Sequence, residues 1–265
     1  MNLDLTGKRA LVCGASSGIG RACAMELAAL GASVTVASRD EGKLSVVRDA
    51  LAVKSGQTHG VLSLDMSDPA GVGSRIAAHL GAGESAVTYH VLVNNTGGPP
   101  GGAMADATVE QLLAAFNSLL VSAHVLTKAI VPGMKAAGYG RVINISSTSV
   151  KQPIANMGLS NSVRAAVANW GKALATEVAK FGITVNAVLP GFADTARLGE
   201  LWKARSAKTG VAVDVIRAEA IAGVPAGRLG LPEEIAAAVA FLASPAAAYI
   251  NGIQLPVDGG RLGCL

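Results

Sequence analysis

The sequence predicts an α/β chain built on a doubly wound parallel sheet with helices on both faces. Three observations carry that expectation. Short, nearly all-apolar runs alternate with longer helical stretches along all 265 residues, the pattern of parallel strands covered on both sides. The first apolar run is followed at once by three glycines, Gly14, Gly18 and Gly20. Hydrophobic residues make up 51% of the chain and charged ones only 15%, which excludes disorder and supplies a large core.

The elements follow in order. Ala10 to Cys13 reads as a buried strand, the glycine cluster as a turn, and Ala22 to Leu30 as a helix. Ser33 to Ala37 is a second strand, ending in Ser38-Arg39, and Gly60 to Leu64 a third, ending at Asp65. Tyr89 to Val93 is a fourth strand, with Asn94-Asn95-Thr96-Gly97 and a Gly/Pro loop behind it. A helical stretch runs from about Val109 to Met134, then a fifth strand from Arg141 to Ile145, ending in Ser146-Ser147. Leu159 to Lys180 is another long helix, and Thr184 to Val188 a sixth strand closed by Pro190-Gly191. Pro232 to Leu242 is a helix and Ile253 to Val257 the last strand. No linker or repeat interrupts this, so residues 1–265 are expected to form a single domain. The polar, alanine-rich segment at about 194–225 reads as a small lid, with Leu198, Leu201 and Trp202 as its apolar underside or, equally, as packing for a helix pair.

Composition narrows the function classes. Net charge is +4, but its lysines and arginines are scattered, and aromatics are only 3%. Bases would find little to stack on, so nucleic acid is not an expected partner. Cys13, Cys23 and Cys264 have no metal-ligand spacing and form no disulfide framework, which points to a reducing cytoplasm and no metal. The N-terminal residues lack the basic and long apolar regions of a signal peptide. Ile235 to Val257 is uncharged and long enough to span a bilayer, but Ser244, Pro245, Asn251 and Gln254 break it. Helix, loop and buried strand is the better reading, and no membrane is expected. The low charge content suggests surface buried between copies of the chain.

In such a sheet ligands sit at the carboxyl ends of the strands. That edge collects the Gly14 to Gly20 turn, Arg39, Asp65, the segment 94–102, Ser146 to Lys151, and Pro190 to Thr195. A strand, a glycine turn and a helix make a phosphate cradle. Glycine lets the backbone approach a pyrophosphate, and the helix N-terminus offers free N–H groups. Ser16 and Ser17 are further donors.

With these motifs the chain resembles the classical short-chain dehydrogenase/reductase family, whose fold is of Rossmann type, over nearly its whole length. CGASSGIG resembles the family's T-G-x-x-x-G-I-G, with Cys13 for Thr. NNTG at 94–97 resembles N-N-A-G, and ITVNAVLPGFADT and the closing VDGG match later family segments. Within the family the chain looks most like the 3-oxoacyl-carrier-protein reductases. The resemblance implies that Gly14, Ser16, Ser17, Gly18, Ile19 and Gly20 hold a pyrophosphate. It also implies that Asp65 and Met66 flank an adenine, that Asn95 lies on the ribose side of the nicotinamide and Ala193 where the family contacts the carboxamide, with Asn94, Pro190 and Gly191 as further cofactor-binding residues. Ser38 and Arg39 stand where an acidic residue would select NAD. A guanidinium suits a ribose phosphate, so NADP (NADPH) is the expected cofactor. A homotetramer is implied by the same resemblance.

The family's chemistry uses Asn, Ser, Tyr and Lys. The resemblance places Asn117 and Ser147 in the first two roles. The tyrosine and lysine positions hold Ser160 and Arg164, so Y-x-x-x-K is absent. One helical turn still puts the pair on one face. Arg164 can donate to ribose hydroxyls, but with an ordinary pKa above about 12 it does not shuttle protons. Lys151, at the same sheet edge, is the candidate proton donor. The substrate pocket is expected along Gly97 to Gly102, Thr148, Gln152, Met157, Phe192 and the lid, and to be mostly apolar. Two functions remain open: an NADP-dependent oxidoreductase interconverting a small-molecule carbonyl and alcohol, with an atypical active site, and a catalytically impaired NADP-binding regulatory or assembly protein.

Overall fold

The computed structural model describes residues 1–54, 56–83 and 86–264. Seven strands form one sheet in the order β3-β2-β1-β4-β5-β6-β7, and each neighbouring pair is parallel. They are β1 (Arg9–Cys13), β2 (Ser33–Ser38), β3 (Gly60–Ser63), β4 (Val91–Asn94), β5 (Gly140–Ile145), β6 (Ile183–Pro190) and β7 (Gln254–Val257). The chain runs outward from β1 to β3, then returns to place β4 on the other side of β1. That reversal opens a crevice beyond the carboxyl ends of β1 and β4, the general ligand position of such sheets.

Alternation along each strand supplies two cores. Ala10, Val12, Val34, Val36, Val91 and Val93 face one side, where α1 (Gly18–Ala29), α2 (Glu41–Asp49) and α9 (Pro232–Ala243) cover them. Leu11, Cys13, Leu62, Leu92 and Val142 face the other, under α3 (Pro69–Leu80), α5 (Ser122–Ala137) and α6 (Gly158–Val178). Burial pushes the Cys13 and Cys23 thiols up to about 12, so both are inert packing groups.

Helix starts follow side-chain chemistry. Asp40 and Asp68 accept backbone N–H bonds at the heads of α2 and α3, and Thr108 and Gln111 form a capping box on α4 (Val109–Phe116). The first helix begins at Gly18, not at Ala22, because Gly18 and Gly20 belong to its first turn. Its N-cap residue, Ser17, makes no side-chain cap bond, and no acidic residue lies in the first turn. This helix therefore leaves its N-terminal donors free for an anion.

A π-helical turn, Asn117–Val121, joins α4 to α5 in one continuous helix. That helix, Val109–Ala137, is long and apolar enough to cross a membrane by length and composition alone, evidence that the core helix of a sheet also meets. The uncharged run after Ile235 divides into α9, a short 3-10 turn and β7. The segment at 194–225 forms α7 (Ala196–Thr209) and α8 (Val213–Ala222). Trp202 packs with Ile216 and Leu229 in a small core of its own, Leu198 packs against that core and also lines the crevice, and Leu201 lines the crevice. Packing and lining are thus both served by the three apolar residues.

Candidate active site

The crevice is a cleft of about 600 Å3. At one end it is lined by Gly14, Ser16, Ser17, Gly18 and Ile19, with Ser38, Arg39 and Lys43 beyond them. The other end holds Ser147, Met157, Ser160 and Arg164, with Gly97, Gly98 and Pro99 as one wall and Leu198 and Leu201 opposite. Ile145, Ser146, Pro190, Gly191 and Ala193 lie between.

The glycine turn is built for close approach. A Cβ on Gly14, whose φ is +60°, would lie 2.7 Å from the Asn95 carbonyl oxygen. Gly18 also takes positive φ. Gly20 does not line the cleft. Any Cβ there would strike the Gly14 carbonyl, so this glycine lets α1 pack on the turn. Asn95 ties the two loops together, donating to the carbonyls of Cys13 and Gly14.

At the far end of the turn Arg39 is exposed and carries no ion pair among the described residues. Asp40 is turned into its own helix cap and pairs with Lys43 at 3.2 Å. No motif in the sequence singles out Lys43; only the α2 turn brings it to the same end of the cleft as Arg39. Met66 lines the cleft, but Asp65 does not: its carboxylate accepts from Ser67, which holds it below the usual carboxylate range.

Ser147 lies two residues past β5, at the head of the 3-10 turn, and accepts the Ser149 N–H at 3.1 Å. Ser160 is buried on the first turn of α6. Arg164, one turn later, donates from Nε to the Ser160 hydroxyl at 3.2 Å. Its Nη1 donates to the carbonyls of Ile145 and Ser146 at 3.2 and 2.8 Å. Burial lowers the guanidinium pKa to about 10.

Two residues expected in catalysis lie elsewhere. Asn117 is exposed on the solvent side of the helix. Leu119 is buried and points inward, lining a small cavity with Asn94, Asn95, Ser146 and Arg164. Two residues of helix place side chains on opposite faces, so the spacing that selected Asn117 missed the inward position. Lys151 sits half-buried at the end of the 3-10 turn after β5 and does not line the cleft. Thr148, Gln152 and Phe192 are also off the cleft wall. Thr148 accepts from Arg261, whose guanidinium covers the Phe192 ring, and Gln152 is exposed. Asn94 lies behind the cleft, its amide donating to Asn144 at 2.9 Å. No tyrosine lines the cleft. Tyr89, Tyr139 and Tyr249 lie away from the strands' carboxyl ends, with Tyr89 bonded to His79 and Thr35.

The family model described as Enoyl-(Acyl carrier protein) reductase matches residues 14–261. The chain is 39% identical over 263 residues to a 3-oxoacyl-[acyl-carrier-protein] reductase, FabG, of Escherichia coli, covering 97% of this chain and 98% of that protein. It is 34% identical over 262 residues to the NADPH-dependent reductase BacG of Bacillus subtilis, covering 97% and 99%. The crystal structure of L-sorbose reductase from Gluconobacter frateurii complexed with NADPH and L-sorbose superposes with a TM-score of 0.90 at 30% identity, covering all of both chains.

Proposed function

Because the chain belongs to the short-chain dehydrogenase/reductase family, we propose that it is an NADP-dependent oxidoreductase that interconverts a carbonyl and an alcohol. The observation that carries this reading is the continuity of one cleft from the glycine turn to the paired Ser160 and Arg164. The residues present fit the cofactor: positive-φ glycines where a Cβ would fill the turn, an uncapped α1, and Arg39 with Lys43 at the ribose end. Relatives with this fold use NADPH by their own descriptions. The lid at about 194–225, the single working domain, a cytoplasmic setting and a homotetramer belong to the same proposal.

NADPH, when bound, supplies the hydride. The protein's share is to hold the carbonyl and provide for its oxygen. Ser147 and Ser160 are the hydroxyls at hand. Arg164 occupies a lone pair of Ser160, which leaves the Ser160 proton free to donate to a substrate oxygen. As the carbonyl carbon gains hydride, its π bond opens onto oxygen, which takes a proton drawn from solvent. No phenol assists, and a missing general acid costs about 10²- to 10⁴-fold. Leu119 in place of an inward polar residue deepens that deficit and favours the second reading, a cofactor-binding protein with little turnover.

The deciding experiment titrates NADPH by fluorescence, then follows its consumption with a panel of ketones. Saturable NADPH binding with turnover supports the enzyme. Binding with no turnover across ketones and alcohols supports the second reading, and no binding sinks both.

A further inference from the structure

One segment beside the substrate end of the cleft has an unusual backbone. Asn156 is the one non-glycine residue with positive φ, +58°, among the described residues. Asparagine tolerates that region better than most side chains, and a β-branched residue resists it. The neighbouring backbone is pinned. The Gly102 N–H donates to the Asn156 carbonyl at 2.7 Å, and the Gly158 N–H to the Gly102 carbonyl at 3.0 Å. Asn161 holds the other side, donating to the Ile154 carbonyl at 2.9 Å and accepting the Ile154 N–H at 3.2 Å. Rare conformations fixed by their surroundings cluster at ligand sites. This one presents Met157, which alone of residues 148–159 lines the cleft. A Cβ on Gly101 would lie 3.5 Å from Met157 Sδ, so the thioether rests along the glycine loop. Leu198 and Leu201 line the same end of the cleft from α7. The nearby charges are occupied. Arg164 serves the cofactor ribose in the proposed reading, and Arg197 is taken by the Gly98 carbonyl at 3.1 Å and by Glu200 at 3.4 Å.

We propose that Met157 is a specificity-determining residue, and that the substrate is an uncharged ketone with an aliphatic arm, or the matching alcohol. The arm lies between Met157 and the two leucines while Ser147 and Ser160 serve the oxygen. This deepens the oxidoreductase reading and rests on it. The balance is that of the proposed reaction: ketone, NADPH and a proton give the secondary alcohol and NADP+. A methionine on fixed backbone adapts its unbranched side chain to the arm, so the site reads the arm's length more than its shape.

The test titrates straight-chain 2-ketones, from butan-2-one upward, into the NADPH-loaded protein and reads the initial change in bound-cofactor fluorescence. Each added methylene is expected to tighten binding about 3- to 4-fold, the worth of a buried CH2, until the arm outgrows the cleft. Met157→Ala is expected to move that limit out by about three carbons, the length of side chain removed. Met157→Leu, a volume-conserving change, and Asn156→Gly, which accepts the same φ, are expected to keep it. Asn156→Val is expected to move it while NADPH still binds. 4-Oxopentanoate is expected to bind no more tightly than pentan-2-one. A limit unmoved in Met157→Ala overturns the proposal, as does binding that ignores chain length or favours the acid. If Met157→Ala does not fold, Asn156→Val against Asn156→Gly decides in its place. Failure of the wild type to bind NADPH sinks the oxidoreductase reading instead, so the two failures are distinguishable.

Discussion

Arg164 donates to the Ser160 hydroxyl at 3.2 Å across one turn of α6. The pair therefore keeps the geometry of an acid and its ammonium partner with neither group present. Replacing both, Ser160→Tyr with Arg164→Lys, would set a phenol in the cleft with a lowered pKa beside an ammonium. Reduction of an activated ketone lacking a carboxylate is expected to rise about 10-fold or more. Each single change is expected to do little, because such groups act as a unit. Steady-state rates of the three variants check this, and a double variant no faster than wild type refutes it.

Leu119, not Asn117, is the position of this helix that reaches the site. The small cavity beside it is lined by two residues with buried polar atoms that have no partner among the described residues, Asn94 Oδ1 and Ser146 Oγ. Adding Leu119→Asn to the double variant would supply an amide there and raise turnover a further several-fold, within the usual worth of a proton path. Asn117→Ala in wild type is expected to change nothing. A loss of turnover on Asn117→Ala would show that the exposed residue acts after all.

Arg39 is expected to set cofactor choice. It is exposed, so its contact with a ribose phosphate is partly screened. A charge-assisted bond of about 1.5 kcal/mol still means roughly 10-fold in affinity. Arg39→Ala should weaken NADPH by that factor and leave NADH unchanged, and fluorescence titration of both cofactors checks it. Equal affinities for NADPH and NADH in wild type would remove Arg39 from this role.

The sheet was legible because its strands are uninterrupted apolar runs such as Leu92 to Val93 and Val142 to Ile143, and their order follows from right-handed crossovers. The phosphate turn was legible because Gly14 and Gly18 need conformations other residues resist. Misreadings arose where the backbone departs from a regular period. The π turn at Asn117–Val121 leaves no mark in composition, so Asn117 drew the role that its face denies it. Lys151 lies at the right sheet edge in sequence, but the 3-10 turn carries it off the cleft wall. The pairing of Ser160 with Arg164 follows from spacing alone. The placement of the Arg164 guanidinium does not, since it depends on carbonyls at the end of β5 and just past it, nineteen and eighteen residues away.

Gly20 tests the packing of the turn separately from its chemistry. A Cβ there meets the Gly14 carbonyl and lies 2.8 Å from the Asn95 amide nitrogen. Neither backbone can yield without moving β1 against α1. Gly20→Ala is expected to cost about 1–3 kcal/mol of stability, as overpacking does, and to abolish NADPH binding by displacing the turn. Thermal unfolding with and without NADPH reads both effects. Unchanged stability would mean that the turn can relax.

The final prediction concerns pH. His79 Nε2 lies 2.7 Å from the Tyr89 hydroxyl, which itself donates to Thr35 Oγ1 at 2.7 Å. With its proton spent on Thr35, Tyr89 must accept from His79, so the neutral tautomer carries its hydrogen on Nε2. Burial lowers the His79 pKa below its ordinary value. The folded state then takes up a proton less readily than the unfolded chain. Stability is therefore full above about pH 6.5, the unfolded value, and is lost as pH falls through that value toward the lower folded one. His90 is lowered by burial as well and adds to the same slope. Urea midpoints should hold steady from pH 8 to 7 and decline toward pH 5.5. His79→Gln keeps an N–H donor but cannot titrate, so its decline should be shallower, with His90 accounting for the remainder. An equally steep decline in His79→Gln would show that the His79–Tyr89–Thr35 chain does not set the acid limit.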